Sequence, residues 1–548
     1  MKPQLLVACL SAVLLASGCA TVPLGPQPSA AEPAQSPAPA VRSAPAHEIT
    51  PGAIEAHMRF LADDLLNGRL AGDPGYDIAA LYLETQYRLM GLAPGGDDGF
   101  YQQVPLQRMR AVPEGAAMSI EGEALVAGED FLVSAHAIHD ESALEAEAVF
   151  VGYGIEAPSI GLSDFSGVDV EGRIAVVLYG APGDLRSDVS AHLNSPRTRA
   201  RYAAEAGAAG VIFIPAEGLT RWTFERMARA SGRPRMTTEA ATNSSELAVT
   251  ASVSESTAER LFAQSGQSFT DIVEAARNGE ALESFDLGVT VSLAQQTSRE
   301  PVESANVLGV LPGSDPSVSD EPIIVTAHLD HLGECRLPEA EDSICNGALD
   351  NASGTAIMIE TARAMAAGPA PRRPVVFVAL AAEEQGLLGS AHLAFSPTAS
   401  TAGAVANINL DMPVILYEFD DLLGFGSEHS NLGPIAEAAV ARAGARLSPD
   451  PIPEQALFTR SDHYSFVRAG VPALFLMTGF SSPDEADDEG QGFLRFLGGN
   501  YHTPTDDFTQ TIRFDQGAKF ARINLEIIDA IANAEETPSW NEDSFFAR

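Results

Sequence analysis

Lysine is almost absent from this sequence. Only Lys2 and Lys519 are lysines, and the 33 basic residues face 74 acidic ones, so that the 548-residue chain has a formal net charge of −41 at pH 7. A surface of this sign repels the phosphate backbones of DNA and RNA. We therefore expect no nucleic-acid partner. The acidic residues are dispersed rather than collected in a tail, which is typical of a soluble and strongly hydrated surface.

Cysteine is also scarce, with four residues in the chain. Cys9 lies in the N-terminal segment MKPQLLVACLSAVLLASGCA, which combines one basic residue, an apolar run and small residues, as a secretory signal does. The run is too short and wrongly flanked for a transmembrane anchor. Cys335 and Cys345 stand in one loop, and in an exported chain such a pair predicts a disulfide rather than a metal site.

The end of the signal, residues 15–19 (LASGC), resembles a bacterial lipoprotein box, in which Cys19 is lipidated and becomes the first residue. Ala16 stands where a larger aliphatic residue is usual, so cleavage by the ordinary signal peptidase is the alternative. A lipidated chain is held to a membrane by its acyl chains without a spanning helix. We expect an exported periplasmic or cell-envelope lipoprotein. Ala20 is not the acidic residue associated with inner-membrane retention in some bacteria, which favours the outer membrane.

Composition divides the chain into five segments. Residues 20–47, after the signal peptide at 1–19, are rich in Pro and Ala without hydrophobic periodicity, which is typical of a tether. Residues 48–140 begin with apolar residues at helical spacing, and residues 141–295 change to short strands and turn residues. In residues 296–548, four apolar runs alternate with stretches long enough for helices. This predicts an α/β fold with a mostly parallel central sheet sandwiched by helices and a smaller inserted β-rich domain.

Polar side chains follow three of the four apolar runs at the point where each run ends. They are His328, Asp330, Glu383, Glu384 and Asp411. Ligands bind beyond the carboxyl ends of the strands in such sheets. Asp350, Tyr501 and His502 stand in further loops. The two imidazoles together with three of these carboxylates suit a pair of zinc ions with nitrogen and oxygen ligands.

The adjacent carboxylates of Glu383 and Glu384 need not have the same task. Neighbouring residues in an extended segment point in different directions. One glutamate can therefore bind a metal while the other takes a proton from the attacking water. Bound cations would also offset the crowded negative charge.

Six segments in order resemble the motifs of the bi-zinc aminopeptidase family, which also contains glutamate carboxypeptidase and the transferrin receptor ectodomain. The segments are VTAHLDHLG, NGALDNASGTA, ALAAEEQGLLGS, NINLDM, RSDHYSFVRAGVPALFL and YHTPTDDF. The likeness spans about residues 302–535, and residues 48–110 are similar to the family's N-terminal part. Residues 145–290 resemble the protease-associated domain that some members insert. The resemblance implies a zinc exopeptidase fold.

The resemblance also implies a ligand set for two Zn²⁺ per chain. Asp350 would bridge the two ions, His328 and Asp411 would complete one site, and Glu384 and His502 the other. The loop between His328 and Asp350 is longer here and carries both remaining cysteines. This departure means that the family's substrate preference does not carry over.

Further roles follow from the same resemblance. Glu383 would be the general base that later protonates the leaving amine. Asp330 would orient the His328 imidazole, as ligating histidines commonly require. Tyr501 would donate a hydrogen bond to the developing oxyanion, and Arg460 would contact the substrate.

We therefore expect a zinc exopeptidase that hydrolyses N-terminal peptide bonds of peptide substrates. A carboxypeptidase or dipeptidase of the same family is the alternative, because the ligands are shared and the pocket sets specificity. The intact ligands and base disfavour a noncatalytic binding or receptor protein, and the five-ligand set disfavours an aminoacyl cyclase with one zinc. The oligomeric state is not predicted. The remaining histidines considered are interpreted as structural: His331, His392, His429 and His463.

Overall fold

The computed structural model describes residues 47–183, 185–238, 247–335 and 342–547. The predicted signal peptide with Cys19, and the 20–47 tether except its last residue, lie outside the described residues. Among the helices of the described ranges, none combines the length and the apolar character that crossing a membrane requires.

Thirteen α-helices lie in the described part of the chain. They are α1 (Pro51–Leu61), α2 (Pro74–Met90), α3 (Ser187–Asn194), α4 (Pro196–Glu205), α5 (Phe224–Ala230), α6 (Glu255–Phe262), α7 (Phe269–Arg277), α8 (Gly354–Ala366), α9 (Leu388–Phe395), α10 (Leu432–Arg442), α11 (His463–Arg468), α12 (Gln491–Gly499) and α13 (Phe514–Ala532). The sequence sets several helix ends. Thr50 accepts a hydrogen bond from the Ala53 N–H before α1, and Gly91 takes the left-handed conformation after α2.

The strands form two main sheets and two short hairpins. They are β1 (Ala93–Pro94), β2 (Tyr101–Ala111), β3 (Ala117–Ile120), β4 (Glu123–Ala124), β5 (Phe131–Val133), β6 (Glu141–Phe150), β7 (Glu156–Ala157), β8 (Leu162–Ser163), β9 (Ile174–Leu178), β10 (Gly210–Ile214), β11 (Arg235–Thr237), β12 (Val249–Val253), β13 (Phe285–Leu311), β14 (Ile323–His328), β15 (Gly333–Glu334), β16 (Ile344–Cys345), β17 (Val375–Leu380), β18 (Ala406–Leu410), β19 (Asp421–Phe425), β20 (Arg446–Ser448) and β21 (Ala473–Thr478).

The central sheet of the peptidase-like region has the strand order β11, β2, β13, β17, β14, β18, β21, β19, β20. The four central strands, β17, β14, β18 and β21, are parallel, and antiparallel pairs flank them. Every residue of β14, β17 and β21 is buried, as expected for parallel strands covered on both faces. Helices cover the sheet in two groups, α8 with α1, α2 and α13, and α9 with α11. The predicted α/β class with a central sheet flanked by helices is confirmed.

A second, smaller sheet has the strand order β4, β3, β13, β6, β9, β10, β12, β5. It carries its own apolar core, formed with α6 and α7. The 27-residue strand β13 belongs to both sheets, because its first half pairs with β6 and its second half with β2.

The strands between residues 117 and 133 pair within this second sheet. The sequence-based division assigns them to the N-terminal part of the peptidase domain, residues 48–140. Its boundary at residue 141 therefore falls inside the second sheet. Short strands such as β3 and β5 show little alternation of apolar and polar residues. Only their pairing with β13 and β12 shows that they belong to the second sheet.

Candidate metal centre

The predicted ligands meet at one edge of the central sheet. His328 is the last residue of β14, and it pairs in register with Leu380 at the end of the parallel strand β17. Glu383 and Glu384 follow β17, and Asp411 directly follows β18 on the other side of β14. The carboxyl ends of parallel strands meet at the same edge of a sheet, which explains why residues far apart in sequence lie together.

His328 contacts two carboxylates. Its Nε2 atom lies 3.2 Å from Asp350 Oδ1 and 3.1 Å from Asp411 Oδ1. All three side chains are buried. Their ligand atoms lie within 4.8 Å of one another, which is close enough to hold a single metal ion.

His502 approaches the other side of Asp350. Its Nε2 atom lies 3.1 Å from Asp350 Oδ2 and 3.1 Å from Glu384 Oε2. Asp350 is therefore common to both groups. The buried Nε2 atom of His502 makes no aligned hydrogen bond with any described residue despite this proximity. Imidazole with carboxylate is a donor set that zinc accepts, so His502 could join Asp350 and Glu384 in holding a second ion.

The electrostatics of the His328 group indicate the same need for a cation. Burial alone would lower the pKa of His328, but the charges of Asp411 and Glu383 and hydrogen bonds to Asp350 and Asp411 raise it well above its usual value. In the absence of metal, protons are the available compensation for so many buried carboxylates. A divalent cation would take over that role.

His331 also belongs to this centre. Its Nδ1 atom lies 2.6 Å from Glu384 Oε1, and His331, Asp350 and Glu384 form a second group with ligand atoms within 4.8 Å. The interpretation of His331 as structural misses this contact. Its place three residues after His328, at the same strand end, is the sequence signal that could have indicated it.

Asp330 supports the turn that carries the glutamate pair. Its Oδ1 atom accepts a hydrogen bond from the Glu383 N–H (3.0 Å), and Oδ2 accepts one from the Glu384 N–H (3.3 Å). His328 Nδ1 lies 3.2 Å from the backbone carbonyl of Asp330 rather than from its carboxylate. A carbonyl only accepts, so Nδ1 carries a proton, and Nε2 is the nitrogen that faces the carboxylates and would bind a metal ion.

Two buried residues that the sequence does not single out hold the loop of Asp350. The Asp506 carboxylate accepts hydrogen bonds from the backbone N–H groups of Leu349 and Asp350, both at 3.0 Å. Burial raises the pKa of Asp506 to about 6. Asp506 thus fixes the backbone at Asp350.

Arg69 is the second of these supports. Its guanidinium is buried beneath the centre and donates to the backbone carbonyls of Leu329, Asn346 and Gly347. Burial lowers the pKa of Arg69 to about 10, against the charges of nearby acids led by Asp330. Arg69 thereby ties the loop after His328 to the loop before Asp350.

Glu383 faces a pocket beside the predicted ligands. Only 8% of Glu383 is exposed, and burial first, then the charges of Asp411 and Glu384, raise its pKa well above the usual value against the effect of His328. The residue before it, Ala382, has a positive φ of 56°, a conformation that is strained for residues with a side chain. This placement suits a carboxylate that exchanges protons with a substrate rather than one that only binds metal.

The pocket has an empty volume of about 410 Å³. Its acidic wall consists of Asp350, Glu383 and Asp411. Its apolar wall consists of Met412, Leu457, Phe475, Met477 and Leu497. One side of the pocket is therefore acidic, and the other side can hold an apolar group.

Tyr501 and Arg460 complete the pocket. The Tyr501 ring stacks on the His502 ring with 3.7 Å between centroids, and Arg460 Nη2 donates to the Tyr501 hydroxyl at 3.2 Å. Burial, followed by the charges of Asp350 and Glu384, raises the pKa of Tyr501 well above its usual value. Its hydroxyl therefore keeps its proton and can donate it in a hydrogen bond.

Cys335 and Cys345 form a disulfide, with Cα atoms 5.7 Å apart. The bond closes the hairpin of β15 and β16, which packs on residues 64–69. The disulfide thus lies next to Arg69 and the loop that leads to Asp350.

Comparisons with known proteins agree with this centre. Residues 306–528 match the sequence profile of Peptidase family M28. A probable zinc metalloprotease of Pyrenophora teres f. teres (strain 0-1) is 26% identical over 283 residues, which cover 43% of this chain and 53% of that protein. Aminopeptidase YwaD of Bacillus subtilis (strain 168) is 27% identical over 204 residues, which cover 37% of this chain and 39% of that protein. This chain therefore spans about half the length, or less, of these curated relatives.

A solved structure, the aminopeptidase from Aneurinibacillus sp. strain AM-1, aligns with 88% of this chain and 94% of its own. The two are 21% identical, with a TM-score of 0.47.

Proposed function

Since residues 306–528 belong to Peptidase family M28, we propose that the chain is a zinc exopeptidase that hydrolyses the N-terminal peptide bond of peptides. The observation that carries this proposal is the convergence of the predicted ligands at one sheet edge, with Glu383 facing the adjoining pocket. The names of the zinc metalloprotease and aminopeptidase relatives support it.

We propose a ligand assignment for two zinc ions. His328 and Asp411 would hold one ion, Glu384 and His502 the other, and Asp350 would bind both. This rests on the two groups that share Asp350. When bound, zinc polarises a substrate carbonyl and lowers the pKa of the attacking water.

Glu383 would act as general base and then as general acid. It would accept a proton from the attacking water and deliver it to the nitrogen of the leaving amine. Its hydrogen bond to Asp330 through the backbone fixes the turn, while its carboxylate stays free to face the substrate. Positioned acid–base groups of this kind contribute about 10²–10⁴ in rate.

Tyr501 would stabilise the developing oxyanion. The Arg460 guanidinium donates to the phenol oxygen, which leaves the Tyr501 O–H to donate to the substrate. A protonated donor aimed at the developing charge lowers the barrier without needing to reorganise.

The apolar wall would select the first side chain of the substrate. We propose that Met412, Leu457, Phe475, Met477 and Leu497 enclose an apolar side chain such as leucine. Burial of such a side chain contributes about 1.5–3 kcal/mol.

We also propose that the protein is exported and lipidated at Cys19, and that the second sheet is an inserted domain of the protease-associated type. The sequence of the first 19 residues supports the former, and the β-rich insert supports the latter. Growth with a radiolabelled fatty acid would test the anchor. Label and membrane association should both be lost in Cys19→Ala, and retention of the label in this variant would contradict the proposal.

A combined metal and activity measurement tests the function. We expect two zinc ions per purified chain and cleavage of peptides with a free amino terminus but not of N-acetylated ones. Glu383→Gln should retain both ions while kcat falls by about 10²–10⁴. Cleavage of blocked peptides from the carboxyl end would instead indicate a carboxypeptidase. A protein with neither zinc nor turnover would be a noncatalytic relative.

A further inference from the structure

A second pocket lies where the inserted domain meets the peptidase domain. Its empty volume is about 840 Å³. Its walls come from the start of α4, from the turn after the glutamate pair and from α11. The lining residues used below are Arg197, Arg201, Gly386, Thr459, Tyr464 and Arg468. No acidic side chain lines it among the described residues, and we refer to it as the basic pocket.

Arg197 is the central cation of the basic pocket. Its Nη2 atom lies 3.5 Å from the position that a Cβ atom would take on Gly386, so the guanidinium lies against the turn. Within the described ranges, this guanidinium donates no hydrogen bond and pairs with no carboxylate. Burial lowers the pKa of Arg197, and only the Tyr464 phenol opposes this effect.

Other buried arginines of this protein have acidic neighbours. Arg69 is compensated by four carboxylates and Arg199 by Asp164 together with tyrosines. The chain has 74 acidic residues against 33 basic ones. A partly buried arginine without an acidic partner therefore lacks a counter-ion that the rest of the sequence could easily supply, and a ligand can supply it.

The other two arginines of the basic pocket, Arg201 and Arg468, add to its positive charge. Arg201 pairs with Glu205 at 2.9 Å, and Arg468 lies 5.5 Å from the ring centroid of Phe395. Burial raises the pKa of Tyr464, whereas the charges of Arg468, Arg197 and Arg201 all lower it. All three arginines line the same pocket.

The start of α4 contributes further positive potential. The helix begins at Pro196, and the preceding Ser195 side chain accepts no hydrogen bond from its first turn. The free N–H groups of a helix N-terminus favour an anion. Arginine adds a planar fork of donors that suits the two oxygens of a carboxylate.

The basic pocket adjoins the metal centre. The N–H groups of Gly386 and Leu387 both donate to the Glu383 carbonyl at 2.8 Å, so the turn that lines the basic pocket also positions the proposed base. Thr459 directly precedes Arg460, which lines the catalytic pocket. A substrate that is held at the metal centre can extend towards the arginines by about 3.3 Å per residue.

We propose that the basic pocket binds a carboxylate of the peptide substrate on the leaving-group side of the scissile bond. The carboxylate would be the C-terminal one of a short peptide or a side-chain one of a longer peptide. This inference rests on the proposed function and adds a substrate class, namely peptides with an anion a few residues after the cleaved bond.

Matched substrates test the proposal on the zinc-loaded full chain. The set contains di-, tri- and tetrapeptides that begin with leucine, each as the free acid and as the C-terminal amide. Amides with a single aspartate after the first residue form a third arm, which distinguishes a side-chain carboxylate from the terminal one. For the peptide of fitting length we expect kcat/KM to be at least about tenfold higher for the acid than for the amide.

Arg197→Gln removes the charge and keeps most of the volume. The acid-to-amide ratio should fall to near one, through an increase in KM for the acid. Arg229→Gln, an exposed arginine of the same domain outside both pockets, should keep the wild-type ratio. Equal rates on acids and amides in the wild type, or an unchanged ratio in Arg197→Gln, would overturn the proposal.

Calorimetry distinguishes a failure of the carboxylate proposal from a failure of the proposed peptidase function. If the protein cleaves no peptide, N-acetyl tripeptide acid and amide are titrated into it instead. Binding of the acid alone, weakened in Arg197→Gln, would support the pocket without the peptidase activity, whereas equal or no binding would overturn it. If inorganic phosphate binds with the same dependence on Arg197 while acids and amides react equally, the pocket is a free-anion site and the carboxylate proposal is wrong.

Discussion

The Asp330 carboxylate accepts a hydrogen bond from the backbone N–H of Glu383, with 3.0 Å between Oδ1 and N. The same carboxylate accepts from Glu384 N–H, so one buried side chain positions both the proposed base and a proposed ligand. In Asp330→Ala, these two N–H groups lose their partner, and an unsatisfied buried donor costs about 1–3 kcal/mol. We expect zinc affinity to fall by about 10–100-fold and kcat to fall with it.

Asp330→Asn is the matched control, because it keeps one carbonyl acceptor for Glu383 N–H and nearly the same volume. Zinc affinity, measured by chelator competition, should lie between those of the wild type and Asp330→Ala. Wild-type kcat and zinc affinity in Asp330→Ala would show that the turn does not depend on this carboxylate.

The two histidines near Glu384 should differ in what their removal does to metal content. His502 Nε2 lies 3.1 Å from both the Asp350 and the Glu384 carboxylate, whereas the His331 imidazole contacts, among the described residues, only the Glu384 carboxylate within hydrogen-bond distance. We expect His502→Ala to lose one zinc ion, and His331→Ala to retain both with an affinity about 10–100-fold lower. Elemental analysis after dialysis measures this, and the reverse pattern would make His331 the ligand.

Glu360 should make stability depend on pH. Burial would raise its pKa, but hydrogen bonds from His57, His47 and Arg363 lower it to about 2. A depressed pKa in the folded state stabilises the fold above the usual glutamate pKa, and this contribution is lost as pH falls from about 4.5 towards 2. The free energy of unfolding should therefore drop by about 3 kcal/mol more in the wild type than in Glu360→Gln over this range.

Urea unfolding at several pH values between 5 and 2 measures the difference. Arg363→Gln removes one of the three partners and should give an intermediate slope. Parallel pH curves for the wild type and Glu360→Gln would contradict the prediction.

Removal of the disulfide should lower stability more than activity. Cys335 and Cys345 are ten positions apart, and closing a loop of this size restricts the unfolded chain by about 3 kcal/mol in the loop-closure account. The variant with both cysteines replaced by serine should lose about this much free energy of unfolding. It should retain its zinc, because Arg69 and Asp506 hold the loop of Asp350 independently.

A phosphine reductant provides the control. It should shift the unfolding curve of the wild type to that of the double variant and leave the variant unchanged. A wild-type unfolding curve that does not respond to reduction would show that the bond contributes no stability.

The positions of His328, Glu383 and Asp411 could be predicted from the sequence because each stands at or just after the end of a buried apolar run. Such runs specify parallel strands, and parallel strands bring their ends together. The central sheet and its helices followed from the same pattern.

Asp506 and Arg69 could not be predicted, since their roles depend on hydrogen bonds to residues 157 and 277 positions away. No periodicity marks a residue whose partner is so distant. The start of the second sheet was misplaced for a similar reason, because β3 and β5 are defined by strand pairing rather than by their own composition.

The strand β13 has a consequence for motion between the two sheets. Domains usually move about linkers of a few unpaired residues, but here a single strand is hydrogen-bonded to β6 on one side of the boundary and to β2 and β17 on the other. A large rotation of one sheet against the other would break this ladder. The basic pocket is lined by α4 on one side and by the Gly386 turn and α11 on the other. With the two sheets tied by one strand, these walls keep their spacing, so a ligand must fit the pocket as it stands.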